Sequence, residues 1–532
     1  MNRPSNLIAL FFFPIILLIT VWILKDALGF YYLWRFDQSY AYLINSLNVS
    51  QFHGPGGVAH PGTPLQILGA LVFKIIYNLS DHNTDFVNHV LLNSEYYLLI
   101  FQRFLLILNV IALIFLGFFT FKVTKNLITS IFLQMSVFVS SSIYYSLYII
   151  IAEQLLIFCD ICLMAAIIYY LFKPIEKVMN IKYIFLLSMI CGIGLTSKLN
   201  FFPVLIIPFI ILKGVKNRLL FLSMTFIIVL VLLIPVLSQF NDLLIWIKSL
   251  VIHDGLYGQG NSDIINLKTF FENLGSIIST DLYFTLSFLS LCVTLIIVLI
   301  KKSDMEGEFI QKSKKLLTGF FLTFSLQTII VAKHYVQYYL LPSLVLSNFA
   351  LFICIILICY MYNFNSEVRK VIYYALICIC TFYCIYSYTT WYEILIWNRE
   401  EAIKAEKYLS EYKANDLIIS SFGSPNLESA LAYSTICSGS QKSFYNELLS
   451  KHLKNCIYFN PWAFKLYSIC ESDIETILKE NNKIIFEVRG ADLVDKFLDE
   501  LRKFENIRIT GYKELYKNDN GGYVYVIEYE FN

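Results

Sequence analysis

The chain is predicted to be a polytopic α-helical membrane protein of about eleven transmembrane helices, with a small extracytoplasmic α/β domain at its C-terminus. Three observations predict it. Of 532 residues, 57% are hydrophobic and only 15% charged, and the mean hydropathy is +0.63, far more apolar than a soluble domain of this size. Apolar runs of about 20 residues, the length that crosses a bilayer, recur along most of the chain. From Arg399 onward the chain becomes charged, and its apolar residues alternate at helix and strand periods.

The candidate spans are roughly 7–25, 97–121, 127–146, 150–172, 183–197, 200–212, 219–238, 281–300, 316–332, 336–361 and 371–390. The first is too long for a signal peptide and no small-residue cleavage site follows it, so it is expected to be retained. The pair around Thr196 to Phe202 is the weakest, because both halves are short and SKLN interrupts them.

Orientation follows from Lys and Arg, which accumulate in cytoplasmic loops. With the N-terminus inside, Lys122 and Lys125 share an inner loop, as do Lys173, Lys177 and Lys182. So do Lys213, Lys216 and Arg218. The last two inner loops hold Lys301, Lys302, Lys312, Lys314 and Lys315, then Arg369 and Lys370. The outer side receives the loop 26–96, the loop 239–280, the turn at His334 and everything beyond Thr390. Residues 1–390 thus form the membrane module, and 391–532 an outer α/β domain. Within that domain REEAIKAEKYLSEYK, SDIETILKENN and ADLVDKFLDELRKF read as helices. DLIISSF, KIIFEV, NIRIT and GGYVYVIEYEF read as strands, the last entered through an NDNGG turn.

Several function classes are excluded early. A net charge of +2 supplies no basic field for nucleic acid. Nine of the twelve Cys lie in apolar runs, where they behave as small apolar side chains. Cys437, Cys456 and Cys470 lie in the outer domain; one disulfide and one thiol fit that count, with the pairing open. GQGNSD (Gly258 to Asp263) lacks the preceding strand and the following Lys-Ser/Thr of a phosphate loop.

The chemistry concentrates at span mouths on the outer side. An ionisable group next to lipid is costly and therefore a functional candidate. WRFDQSYAYLINSLNVSQFHGPGGVAHPGTPLQ (Trp34 to Gln66) follows the first span. Asp37 is either a general base at the membrane face or a helix cap and partner of Arg35. His53 and His60 sit on a stretch forced into turns by Gly and Pro, as substrate-loop residues or as passengers on a chain reversal. LQILGALVFKIIY reads as an interfacial helix. Glu153, in YSLYIIIAEQLLIF, lies at the outer mouth of the fourth span, and Lys198, in GLTSKLNFFP, at the outer end of the fifth. Lys333, His334, Tyr335 and Tyr338 lie in AKHYVQYYLLP. A single Lys at a span end can simply snorkel. Carboxylates, Lys and His converging on one leaflet from distant parts of the chain suit a lipid-linked phosphate.

In this order the residues resemble the GT-C glycosyltransferases, polytopic enzymes that move a sugar from a polyprenyl-phosphate carrier to an acceptor outside the cytoplasm. Protein O-mannosyltransferases and the aminoarabinose transferase of lipid A belong to that group. The resemblance covers the span pattern, the long first outer loop with its early acid Asp37, and HPGTPLQ. It extends to AEQLLIF, GLTSKLNFFPVLIIP, KHYVQYYLLP and the soluble C-terminal domain. It implies an inverting transfer to a glycolipid, polysaccharide or protein, at the outer face of a bacterial plasma membrane. It also implies Asp37 and Glu153 as catalytic groups, with Lys198, Lys333, His334, Arg35, Tyr335 and Tyr338 around the donor phosphate. Many members carry two adjacent acids in the first loop, whereas here Gln38 follows Asp37. A divalent ion held by Asp37 and Glu153 therefore stays open, and no other cofactor is implied.

Two other readings compete. A transporter or flippase of lipid-linked sugars predicts charges inside spans and paired broken helices; Asp160 is the exception in otherwise clean spans. An O-antigen polymerase or ligase would favour Arg-rich outer loops and no large C-terminal α/β domain.

Overall fold

The computed structural model describes residues 4–34, 36–57, 62–255, 258–301, 307–410, 412, 416–453, 456–470, 473–481, 483–519 and 521–531. Arg35 and His60 lie outside the described residues. The chain divides into two compact units. One comprises Met1–Ile23, Val58–Leu65 and Gln102–Trp391, the other Leu24–Gly57, Gln66–Phe101 and Tyr392–Asn532.

Among the described residues, eight helices are long and apolar enough to cross a membrane, and a ninth span results if one bent pair is counted as a single crossing. They include Leu7–Leu28, Ser94–Thr124, Glu153–Phe172, Val215–Leu232, Leu282–Ile300, Glu308–Lys333, Gln337–Met361 and Ser366–Ser410. Ile181–Ser197 and Leu199–Ile211 are shorter. They are the pair that SKLN interrupts, and Lys198 between them is extended, at φ −160°. The apolar runs read as spans are largely helical among the described residues, but 127–146 is bent and this pair is split by its polar hinge, so fewer than the expected eleven are full-length spans.

Two helices exceed the bilayer. At 1.5 Å per residue, the 31 residues of Ser94–Thr124 and the 45 of Ser366–Ser410 run about 46 and 68 Å, against a hydrocarbon core of about 30 Å. The sequence reading separated REEAIKAEKYLSEYK from the last span. The structure joins them, since no Gly or Pro interrupts Ser366–Ser410.

In the first unit, amide side chains tie helices together. Gln134 Nε2 donates to Leu10 O at 2.9 Å and Leu113 O at 3.1 Å. A Cβ on Gly117 would fall 2.1 Å from Gln134 Nε2, so only glycine admits this amide. Leu127–Phe138 and Ser141–Tyr148 are bent by 71°. The freed carbonyls beyond the bend find donors: Leu147 O takes Gln102 Nε2 at 2.7 Å, and Ile149 O takes Gln154 Nε2. Non-helical backbone at membrane depth survives only when satisfied in this way.

The second unit is built on a six-stranded sheet. Its strands are β1 (Leu417–Ser421), β2 (Ile457–Asn460), β3 (Lys465–Ser468), β4 (Lys483–Arg489), β5 (Ile507–Lys517) and β6 (Gly522–Phe531). The order is β3-β2-β1-β4-β6-β5. β1 pairs in parallel with β2 and β4, and the outer pairings are antiparallel. The helix Leu493–Leu501 buries Val494, Phe497, Leu498 and Leu501, one face at helical spacing. Phe497 stacks on Phe486 of β4 with centroids 3.8 Å apart. Cys456 and Cys470 form a disulfide and Cys437 is a free thiol.

Leu24–Gly57 and Gln66–Phe101, most of the first outer segment, belong to this unit. LQILGALVFKIIY forms most of the helix Thr63–Leu79. Asn48 Nδ2 donates to Ser438 O at 2.9 Å, and Tyr445 Oη donates to Asn48 Oδ1 at 2.8 Å. A Cβ on Gly56 would lie 2.0 Å from the Gly439 nitrogen. The HGPGG run therefore serves a close backbone approach as well as a turn.

Candidate functional site

Glu153 begins the helix Glu153–Phe172 and Lys198 follows the helix Ile181–Ser197. The two form an ion pair with side chains 2% and 6% exposed. Lys198 Nζ also lies over two ring faces, 4.8 Å from the centroid of Tyr338 and 4.4 Å from that of Tyr339. A desolvated ammonium is stabilised by ring faces and a carboxylate together. Asn200 Nδ2 and Gln327 Nε2 each donate to Tyr339 O at 2.9 Å, fixing the backbone that presents these rings.

An aromatic wall adjoins the pair. Tyr145 stacks on Tyr338 at 5.6 Å and on Trp391 at 5.5 Å. Trp391 Nε1 donates to Ser141 O at 2.9 Å. The next contacts are polar: Ser140 Oγ donates to Asp281 Oδ1 at 3.1 Å, and Gln337 Nε2 donates to Ser141 Oγ at 3.4 Å. Half-buried rings beside amides and carboxylates are the lining that a sugar ring and its hydroxyls require.

Lys333 and His334 are placed differently. Lys333 Nζ donates to Leu250 O at 2.8 Å and Val251 O at 2.6 Å, and His334 Nε2 lies 3.1 Å from Leu250 O. They close the C-terminal end of the helix Phe240–Ile252. Burial, reinforced by the Lys333 charge, holds His334 below the ordinary imidazole value. Burial raises the Tyr335 phenol. Among the donor-phosphate candidates the structure thus joins Lys198 and Tyr338, and it pairs Lys198 with Glu153, expected as a catalytic group.

The remaining candidates lie in the other unit. Asp37 is in the first turn of the helix Phe36–Ser50 and is half-buried. Its negative charge acts on the Cys437 thiol, which burial and Asp37 together raise to about 11. His53 is exposed, and its backbone N–H donates to Asn48 O at 2.9 Å. Among the described residues, no three His, Cys, Asp or Glu side chains group so as to hold a metal ion.

No family model and no curated protein matches this chain. Among solved structures, it is similar to the crystal structure of ArnT from Cupriavidus metallidurans bound to undecaprenyl phosphate. Identity is 10%, with 97% of each chain covered and a TM-score of 0.47.

Sequence reasoning missed several residues here. Tyr339, Gln337 and Asn200 lie inside motifs that were read, but beside Tyr335 and Tyr338 only charged residues and His were singled out there. Asp281 stands at a span mouth, as does Glu95. Glu95 accepts from Tyr31 N at 2.9 Å, Tyr32 N at 3.2 Å and Tyr40 Oη at 2.9 Å. The rule that singled out Asp37 applies equally to both.

Proposed function

We propose that the protein is an inverting glycosyltransferase that moves a sugar from a polyprenyl-phosphate carrier to an acceptor on the extracytoplasmic side of the membrane. The observation that carries this reading is Lys198. It is a buried cation at a span end, set between the Glu153 carboxylate and the faces of Tyr338 and Tyr339, with an aromatic wall alongside. A cation at that depth suits a phosphate whose lipid tail stays in the bilayer. The motif order read from the sequence and the one-sided Lys and Arg loops support the same reading.

In the proposed reaction an acceptor oxygen bonds to the anomeric carbon as the carbon–oxygen bond to phosphate breaks. The sugar inverts, the lipid leaves as its phosphate and the acceptor proton passes to a carboxylate base. That base is Asp37 on the sequence reading. Lys198 stabilises the charge that builds on the leaving phosphate, an interaction stronger in the transition state than before it. Lys333 and His334, proposed from the sequence for the same phosphate, are engaged by the carbonyls of Leu250 and Val251. Glu153 orients Lys198. The test is to supply purified protein with a polyprenyl-phosphate-linked sugar and an envelope-lipid extract. Sugar on an acceptor together with free polyprenyl phosphate supports the reading; intact donor contradicts it.

One observation favours a carrier of lipid-linked sugars instead. Asp160 is fully buried within a span, and neither carboxyl oxygen has a hydrogen-bond partner. Translocation of intact donor across sealed vesicles would support that alternative.

A further inference from the structure

The helices that bear Glu153, Lys333 and Gln337 at one end surround a cavity of about 580 Å³ at the other. Glu153–Phe172 has 20 residues, so the two places are about 30 Å apart along it. The cavity walls are mostly apolar, including Ile128, Phe309, Phe352 and Ile356, with Thr124, Thr129 and Ser366 among them and Arg369 and Lys370 at the rim. Three helix starts border it: Asn126 caps Leu127–Gln134, Gly307 precedes Glu308–Lys333, and Ser366 opens Ser366–Ser410. Helix starts are their positive ends.

The acids nearby are engaged. Glu367 pairs with Lys370 at 2.8 Å and Glu308 with Lys312 at 2.7 Å. Arg369 donates through Nε and Nη2 to Phe364 O at 3.2 and 3.1 Å, which fixes its guanidinium at the rim. By the Lys and Arg pattern this is the cytoplasmic end.

We infer that this cavity is a binding site for an anionic phospholipid of the cytoplasmic leaflet. An acyl chain lies against Phe309, Phe352 and Ile356, while the phosphodiester meets Arg369 and the helix starts, and shares Lys370 with Glu367. Apolar walls under a cationic rim match an amphiphile with a negative head, and basic pockets between transmembrane helices on this side take such head groups. The site is separate from the proposed transfer site and does not depend on that chemistry.

The test uses the full-length protein in detergent, equilibrated with phosphatidylglycerol or phosphatidylcholine and weighed by native mass spectrometry. Wild type should retain phosphatidylglycerol in preference to phosphatidylcholine. The exposed pair Arg369→Gln and Lys370→Gln should weaken that retention, by about fivefold per charge removed. Ile356→Trp keeps the charges but fills the cavity, and should weaken retention of phosphatidylglycerol as well. Equal retention of the two lipids by wild type, or unchanged phosphatidylglycerol retention in both variants, would overturn the inference.

Discussion

Glu153 and Lys198, 45 residues apart in the chain, form an ion pair that is almost wholly removed from solvent. Breaking such a pair is more damaging than replacing it, because the surviving charge is left buried alone. Lys198→Met should destabilise the protein by about 3–5 kcal/mol. The double variant Glu153→Gln/Lys198→Met should recover most of that loss. Thermal unfolding in detergent reads both, and equal unfolding temperatures for the wild type and Lys198→Met would show that the pair is not formed.

Asp37 is assigned as the base, and the alternative is a helix cap in the first turn of Phe36–Ser50. Asn caps about as well as Asp but accepts no proton. Asp37→Asn should therefore lower turnover by roughly 100-fold or more with donor affinity little changed. A near-wild-type rate with saturating donor and acceptor would assign the residue to capping.

His334 should make stability depend on pH. Its folded pKa lies below the ordinary 6.5, chiefly through burial, so below that value the unfolded chain binds more protons. The stability it contributes is complete above about 6.5 and is lost as pH falls through the lower folded value. His334→Gln keeps a donor for Leu250 O but does not titrate there. Its unfolding temperature should fall less than that of wild type between neutral and acid pH; parallel curves would contradict this.

The disulfide Cys456–Cys470 closes a 14-residue separation and should stabilise the α/β domain by about 3 kcal/mol. Such a bond persists in an oxidising compartment, which is where the Lys and Arg pattern expects this domain. Reporter fusions at Tyr40, Gly260 and Ser420 should report outside, and those at Asn180 and Glu308 inside. Unreduced protein should react with a thiol probe at neither Cys456 nor Cys470. An inside signal at Ser420, or labelling of both cysteines without reductant, would reverse the topology.

What the sequence disclosed followed from periodicity and length. The spans were legible because about 20 apolar residues have few other uses, and Leu493–Leu501 because its apolar positions recur at helical spacing. The four-residue strands β2 and β3 were not legible, since a run that short has no measurable period. The helices Leu427–Ile436 and Lys442–Ser450 were also unread, among Ser, Thr and Gly that break the pattern. In the site, charged residues at span mouths could be found one by one. The placement of Tyr339 beneath Lys198, and of Tyr145 between Tyr338 and Trp391, depends on contacts between segments far apart in sequence, which no local pattern encodes.

The most direct measurement is release of polyprenyl phosphate from a polyprenyl-phosphate-linked sugar, followed for wild type beside the Glu153→Gln/Lys198→Met variant. Wild type should release the lipid phosphate with transfer of the sugar. The variant, with a similar unfolding temperature, should be slower by roughly 100-fold or more, as expected when charge stabilisation of a transition state is removed. Equal rates from the two folded proteins would contradict a role for the Glu153–Lys198 pair in sugar transfer.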